Sequence, residues 1–182
     1  MTKMADIKEE ISVPEKVHVS FEQNMLTVKG EKGVLTREFL HPRITVSITN
    51  NIISVHCKQP RRKQKALVGT FVAHMNNMVK GVTKGFEYHM KTVYSHFPIK
   101  TSVESEYFVI QNFLGERSPR KADILTGVVV DIKGEEITVK GIDKEKVGQT
   151  VANIERAAKV KRRDVRVFQD GVYRTSKGGS KL

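Results

Sequence analysis

A fourteen-residue stretch near the start of the chain occurs again in its second half. Val17-His-Val-Ser-Phe-Glu-Gln-Asn-Met-Leu-Thr-Val-Lys-Gly30 aligns without a gap on Val128-Val-Val-Asp-Ile-Lys-Gly-Glu-Glu-Ile-Thr-Val-Lys-Gly141, an offset of 111 residues. Both copies read as strand, polar turn, strand and a Val-Lys-Gly exit. Two copies over 182 residues mean a duplicated domain, because a solenoid needs three or more short repeats.

A helical pattern follows each copy. Ala66, Leu67, Val68, Phe71, Val72, Met75, Met78 and Val79 recur at helical spacing, which predicts a helix over 63–80 with Gly81 as its C-cap. Gly69 inside it costs about 1 kcal/mol against alanine, and close packing of helix on sheet would account for it. In the second half Val147, Val151, Ile154 and Ala158 mark one face of a helix over 143–158, with Asp143 placed to accept from the exposed amides. The remaining apolar runs are strand-like: 34–39, 44–46, 52–56 with a turn at Asn50-Asn51, 85–97, 101–104 and 107–112. The fold class is therefore α+β, with two small duplicated domains, each an antiparallel or mixed sheet packed with one helix. The small residues of 81–85 divide the chain into an N-terminal domain, 1–84, and a C-terminal domain, 85–182.

Charge decides what such a chain meets. Thirty-two basic residues against 20 acidic leave a net charge of +12. A polyanion is attracted to such a surface through release of its counterions. The excess is focused: residues 159–182 hold 8 basic and 2 acidic, half of the total, while 85–158 is close to neutral. Lys159, Lys161, Arg162 and Arg163 cluster at the end of the second helix. The helix dipole explains one or two cations there, not four in five residues. Beyond them, 164–168 alternates like a strand, Asp170-Gly171 is a turn signal, and 172–174 returns as a second strand carrying Tyr173 and Arg174. Residues from Thr175, Lys177 among them, read as a polar tail that orders on binding. A second cluster, Arg61, Arg62, Lys63 and Lys65, opens the first helix, where the dipole disfavours cations. A phosphate partner and a solvated loop both fit it. Arg117, Arg120 and Lys121 form a third, weaker group around Pro119. Tyr173 fits two readings, stacking on an unpaired base or packing on its sheet.

Other chemistries lack their residues. The lone Cys57 cannot form an intramolecular disulfide, four-cysteine zinc is excluded, and a reducing cytoplasmic setting fits. No apolar run approaches the twenty residues of a spanning helix, and no signal peptide is visible, so no membrane partner is expected. There is no phosphate-cradling Gly-x-x-x-x-Gly-Lys loop. Glu104 with Glu106, and Glu135 with Glu136, lack the further acid or metal that a nuclease needs. No enzyme activity, cofactor or metal is expected. Arginine would hold phosphate with two bonds and lysine as a point charge.

Several stretches resemble one family. Met78-Val-Lys-Gly-Val-Thr-Lys-Gly-Phe86, Tyr94-Ser-His-Phe-Pro98, Asn112-Phe-Leu-Gly-Glu116, Val147-Gly-Gln-Thr150 and Phe168-Gln-Asp-Gly-Val-Tyr173 are similar, in order and over nearly the whole chain, to large-subunit ribosomal protein six of the archaeal and eukaryotic type. Bacterial members carry a Tyr-Lys-Gly-Lys-Gly type of segment after the last helix, where this chain has Arg166-Val-Phe-Gln-Asp-Gly-Val-Tyr173. The resemblance implies two duplicated domains and a structural place on the cytoplasmic ribosome's large subunit. It also implies binding to 23S-type rRNA near the stalk base and sarcin–ricin loop, supporting the region where translation factors bind. The partners would be that rRNA and neighbouring large-subunit proteins, without homo-oligomerisation. The principal rRNA contact would be the C-terminal domain, carried here by Lys159, Lys161, Arg162, Arg163, Arg166, Arg174 and Lys177. The competing binding reading is a free nucleic-acid-binding regulatory or architectural protein.

Overall fold

Alternating residues such as Leu26 and Val28, or Ile53 and Val55, send one side chain in two into a core. That alternation builds most of the chain. The structure is a computed structural model and describes residues 6–49, 51–177 and 180–181. Asn50 and the outermost residues, including part of the expected tail, lie outside the described residues. The chain divides into two compact units, Met1–Gly85 and Phe86–Leu182.

The first unit contains β1 (Ile7–Ser12), β2 (His18–Glu22), β3 (Met25–Gly30), β4 (Gly33–Glu38), β5 (Thr45–Thr49), β6 (Ile52–Cys57) and α1 (Arg62–Thr83). The strands form two antiparallel sheets, ordered β2-β3-β4 and β1-β6-β5. Leu26, Val28, Ile53, Val55, Met75 and Val82 are fully buried in one core, and Cys57 is buried with them. The second unit contains β7 (Phe86–Val93), β8 (Lys100–Glu104), β9 (Tyr107–Gln111), β10 (Arg120–Asp123), β11 (Val128–Lys133), β12 (Glu136–Gly141), α2 (Lys144–Ala157), β13 (Gly171–Lys177) and β14 (Ser180–Lys181). Its antiparallel sheets are β10-β9-β8 and β11-β12-β7-β13-β14. Each unit is thus α+β with one α-helix among its described residues, the second adding a short 3-10 turn at Phe113–Gly115, and its strands are shared between two sheets rather than gathered in one.

The duplication is real, but its register differs from the one that the matching stretches suggest. β11 and β12 pair with Val130 opposite Val139 and Lys133 opposite Glu136. β5 and β6 pair with Val46 opposite Val55 and Thr49 opposite Ile52, the same register 84 residues earlier. The sheet β1-β6-β5 therefore corresponds to β7-β12-β11, and β2-β3-β4 to β8-β9-β10. The hairpin β2–β3 shares the register of β11–β12, with Val19 opposite Val28, yet it belongs to the other sheet. A tight hairpin with a glycine exit is a local pattern. Which sheet it joins depends on its neighbours: β12 pairs with the distant β7, whereas β3 pairs with the adjacent β4.

The helices follow their sequence stripes with two changes. Asp143 Oδ1 accepts from the Glu145 amide, and α2 buries Val147, Thr150, Val151 and Ile154. α1 runs past Gly81, which is buried inside it. The helix closes at Lys84, with the Gly85 amide donating to Lys80 and Gly81 carbonyls. Gly85 holds φ +75°, the left-handed turn that ends a helix, so it is the terminating glycine. Gly69 does not pack on a sheet: it is exposed, and a Cβ there would meet nothing within 4 Å. Gly69→Ala is therefore expected to raise stability by about 1 kcal/mol, read as a higher midpoint in urea with an unchanged slope.

Three strands are not legible in the sequence: β14 falls in the expected tail, and β1 and β10 have few inward residues. β1 carries Lys8, Glu9 and Glu10, with Ile11 its one fully buried residue. β10 reads Arg-Lys-Ala-Asp, and Ala122 is its one buried residue. The expected hairpin over 164–174 is not formed. Residues 164–168 make a turn, with the amides of Val167 and Phe168 donating to Asp164 O, while Val165 and Val167 are exposed. Asp164 Oδ1 also accepts from the Arg166 amide, and this local bond outcompetes strand pairing. β13 pairs instead with β7 and extends through Thr175, Ser176 and Lys177, with Ser176 buried. These three residues belong to the folded sheet and not to a tail, so truncation after Arg174 would cut into the fold.

Candidate nucleic-acid interface

α2 ends at Ala157, and its last carbonyls have no partner within the helix. Arg120, on β10, supplies one. Its Nη1 donates to Ala157 O at 2.9 Å and to Lys159 O at 2.8 Å. Its Nε and Nη2 grip Glu116 at 2.8 and 2.6 Å, and its guanidinium lies 4.0 Å from the Phe113 ring centroid. Four donated bonds and a ring contact leave this arginine little to offer a ligand, although the sequence groups it with exposed Arg117 and Lys121.

The cations beyond the helix are set out by alternate burial. Ala158 and Val160 enter the core, while Lys159, Lys161, Arg162 and Arg163 are exposed. Arg162 has φ +57°, which turns the chain at the middle of the cluster. The Arg163 guanidinium lies 4.8 Å from the Phe168 ring centroid. Glu116 is held below the usual glutamate range, first by its hydrogen bonds to Arg120, then by the charges of Arg120, Lys161 and Arg163, against a burial cost. Two members of the cluster thus lie in the field of the Glu116–Arg120 pair.

The other C-terminal residues are not all placed with this cluster. Arg166 is highly exposed but tied to the Asp164 carboxylate at 2.8 Å; that hydrogen bond lowers the Asp164 pKa and raises that of Arg166. Part of its guanidinium is thus engaged before any ligand arrives. Arg174 is half-buried, its amide donates to Glu155 Oε1, and it faces Tyr88, whose own pKa burial raises and Arg174 lowers. Tyr173 is exposed and alternates along β13 with buried Val172 and half-buried Arg174, so it belongs to the sheet face away from α2; Lys177 is also exposed, but it follows the irregularity between Arg174 and Ser176 and lies opposite buried Tyr88. The Tyr173 hydroxyl donates to Gln169 O at 3.0 Å, and its ring lies against the Gly171 backbone. Packing holds the tyrosine in place and leaves 47% of it exposed.

In the first unit, Arg61, Arg62, Lys63 and Lys65 are exposed around the first turn of α1, which has no acidic residue. The Arg61 amide donates to Gln64 Oε1 at 2.7 Å. A cavity beside it is lined by Asp6, Arg43, Lys58, Gln59 and Arg61. Arg43 and Lys58 escape sequence reasoning, because they flank β5 and β6 and meet the helix only through the fold. Among the described residues no group of three or more His, Cys, Asp or Glu is gathered as a metal site, and no helix is long and apolar enough to cross a membrane.

Comparison with known proteins gives the family. The model of ribosomal protein L6 matches residues 13–85 and 97–171. A protein of Methanobrevibacter smithii, named large ribosomal subunit protein uL6, is 49% identical over 97% of this chain and 99% of its own length. Its namesake from Methanosarcina mazei is 48% identical over 92% of this chain and 96% of its own. This chain belongs to the ribosomal protein L6 family. Membership makes it a structural component of the large ribosomal subunit rather than an enzyme. The two L6 segments begin 84 residues apart, the offset found between the equivalent hairpins. Both basic clusters, 61–65 and 159–163, fall inside L6 segments, at opposite ends of their respective helices. Tyr173, Arg174 and Lys177 lie beyond the second segment.

Proposed function

We propose that the chain binds 23S-type rRNA through its C-terminal domain, 85–182, near the stalk base and sarcin–ricin loop, so supporting the factor-binding region. Lys159, Lys161, Arg162 and Arg163 carry the phosphate contact. The observation behind this is the exposure of four cations in five residues on a segment pinned by buried Val160 and by Arg120. Pinned cations lose little freedom on binding, and RNA helices are read by shape, phosphate and 2′-hydroxyl. Tyr173 offers its exposed ring to an unpaired base, and Lys177 a further charge. Arg166, after leaving Asp164, and half-buried Arg174 contribute further charge. The N-terminal domain, 1–84, adds Arg61, Arg62, Lys63 and Lys65, joined by Arg43 and Lys58. It acts as a single copy among neighbouring large-subunit proteins.

Chemical footprinting of large-subunit rRNA with and without the full chain tests this. Protection confined to one compact region at the stalk base and sarcin–ricin loop is expected. Diffuse protection would favour the free nucleic-acid-binding regulator instead.

A further inference from the structure

Arg120 stands apart from the other basic residues near the C-terminal cluster, because its guanidinium is spent on the protein. The Glu116 carboxylate takes it with two parallel bonds of 2.8 and 2.6 Å, the arrangement that fixes both planes. The third nitrogen reaches the carbonyls of Ala157 and Lys159, one at the last residue of α2 and one at the first residue of the basic segment. Phe113 covers the guanidinium from one face. Only 18% of the Arg120 side chain is exposed. The chain therefore leaves the helix in one direction, with Val160 turned in and Lys159 and Lys161 turned out.

We infer that Arg120 is a positioning residue for RNA binding: with Glu116 it sets the path of residues 158–163, so that their cations face the rRNA already arranged. This rests on the reading that residues 159–163 touch rRNA. Without the strut the same cations would still be present, but their segment would have to be ordered on binding. Ordering a few rotamer-rich side chains costs about tenfold or more in affinity. Lysine cannot replace the fork, since an ammonium group cannot hold a carboxylate with parallel bonds and two carbonyls at once.

The test uses the full chain and in-vitro-transcribed large-subunit rRNA, with affinity measured across a salt series. Arg120→Ala and Arg120→Lys are expected to weaken binding about tenfold while the slope of log K against log salt stays as in the unaltered chain. Amide hydrogen exchange should quicken at 158–163, with the β7–β12 amides still protected. Glu116→Gln, which keeps a hydrogen-bond acceptor but removes a negative charge that Lys161 and Arg163 feel, serves if either arginine variant fails to fold, and is read by exchange at 158–163, which should quicken less than in the arginine variants. Lys161→Ala is the contrast: its slope should fall by about one, the mark of a lost phosphate contact. A slope lowered equally by Arg120→Ala would overturn the inference, because Arg120 would then be a phosphate ligand. Unchanged affinity in the arginine variants, or unchanged exchange at 158–163 in Glu116→Gln, would overturn it as well. If Lys161→Ala leaves both affinity and slope intact, the fault lies in the reading of 159–163 as the contact.

Discussion

Replacing Lys161 and Arg163 with alanine and Arg162 with asparagine is expected to weaken rRNA binding by roughly 500-fold at about 0.1 M salt. Each phosphate contact releases about 0.9 of a condensed counterion on a duplex, so each is worth close to a factor of eight at that salt, and three multiply. The slope of log K against log salt should fall by about 2.7. Stability should hardly move, because all three side chains are exposed. Asparagine is chosen at 162 because φ there is +57°, a conformation it tolerates better than alanine does. The paired variant Arg166→Ala with Lys177→Ala should lose far less: Asp164 already holds Arg166, and Lys177 lies on β13, outside the 159–163 segment. Titration of the full chain against large-subunit rRNA at several salt concentrations measures both quantities. Wild-type affinity and slope in the triple variant would show that the contact lies elsewhere.

Gly30→Ala is expected to destabilise the first unit by about 2–3 kcal/mol. A Cβ at Gly30 would lie 2.8 Å from both Val82 Cγ2 and the Val82 carbonyl oxygen. Val82 is fully buried near the end of α1, and its carbonyl also accepts from the Lys32 amide, so neither the backbone nor the stiff side chain can yield cheaply. For a unit of this size the melting temperature should drop by roughly 10–20 °C. Gly69→Ala in the same unit should move it the other way, since that site is open. A Gly30→Ala melt within two degrees of wild type, by calorimetry, would contradict the packing account; the approximate threshold follows from the same scaling.

The contrast between these glycines shows where sequence reasoning stops. Gly30 and Gly141 both end a Val-Lys-Gly stretch, and both touch a helix valine, Val82 and Val147 respectively. Val82 lies near the C-terminal end of α1, whereas Val147 lies near the N-terminal end of α2. Similar local sequence serves different places in the two units, which is why the matching stretches gave a duplication with the wrong register. The strands β1 and β10 were hidden for a related reason. Their inward positions are few, and pairing makes strands of them, β1 with β6 far along the chain and β10 with the neighbouring β9.

In the site, the cluster 159–163 was legible because four cations in five residues exceed what a helix end requires. The roles of its neighbours were not. Asp164 lies two positions before Arg166 and alternates with it, which reads as a strand until a side-chain bond closes a turn. Arg120 reads as one more loop cation, because nothing in its own segment shows that Ala157 and Lys159 lie within its reach.

The amino-acid sequence alone determined that this is a duplicated, strongly basic α+β chain whose apolar stripes form two helices and whose positive excess is concentrated after the second. These are properties of neighbouring residues, and helical or strand periodicity and charge count suffice to read them. The tertiary structure decided which hairpins are equivalent, which strands close each sheet, and which cations face outward. Those depend on pairings across tens of residues and on whether a guanidinium meets a carboxylate or solvent, and neither is written in local pattern.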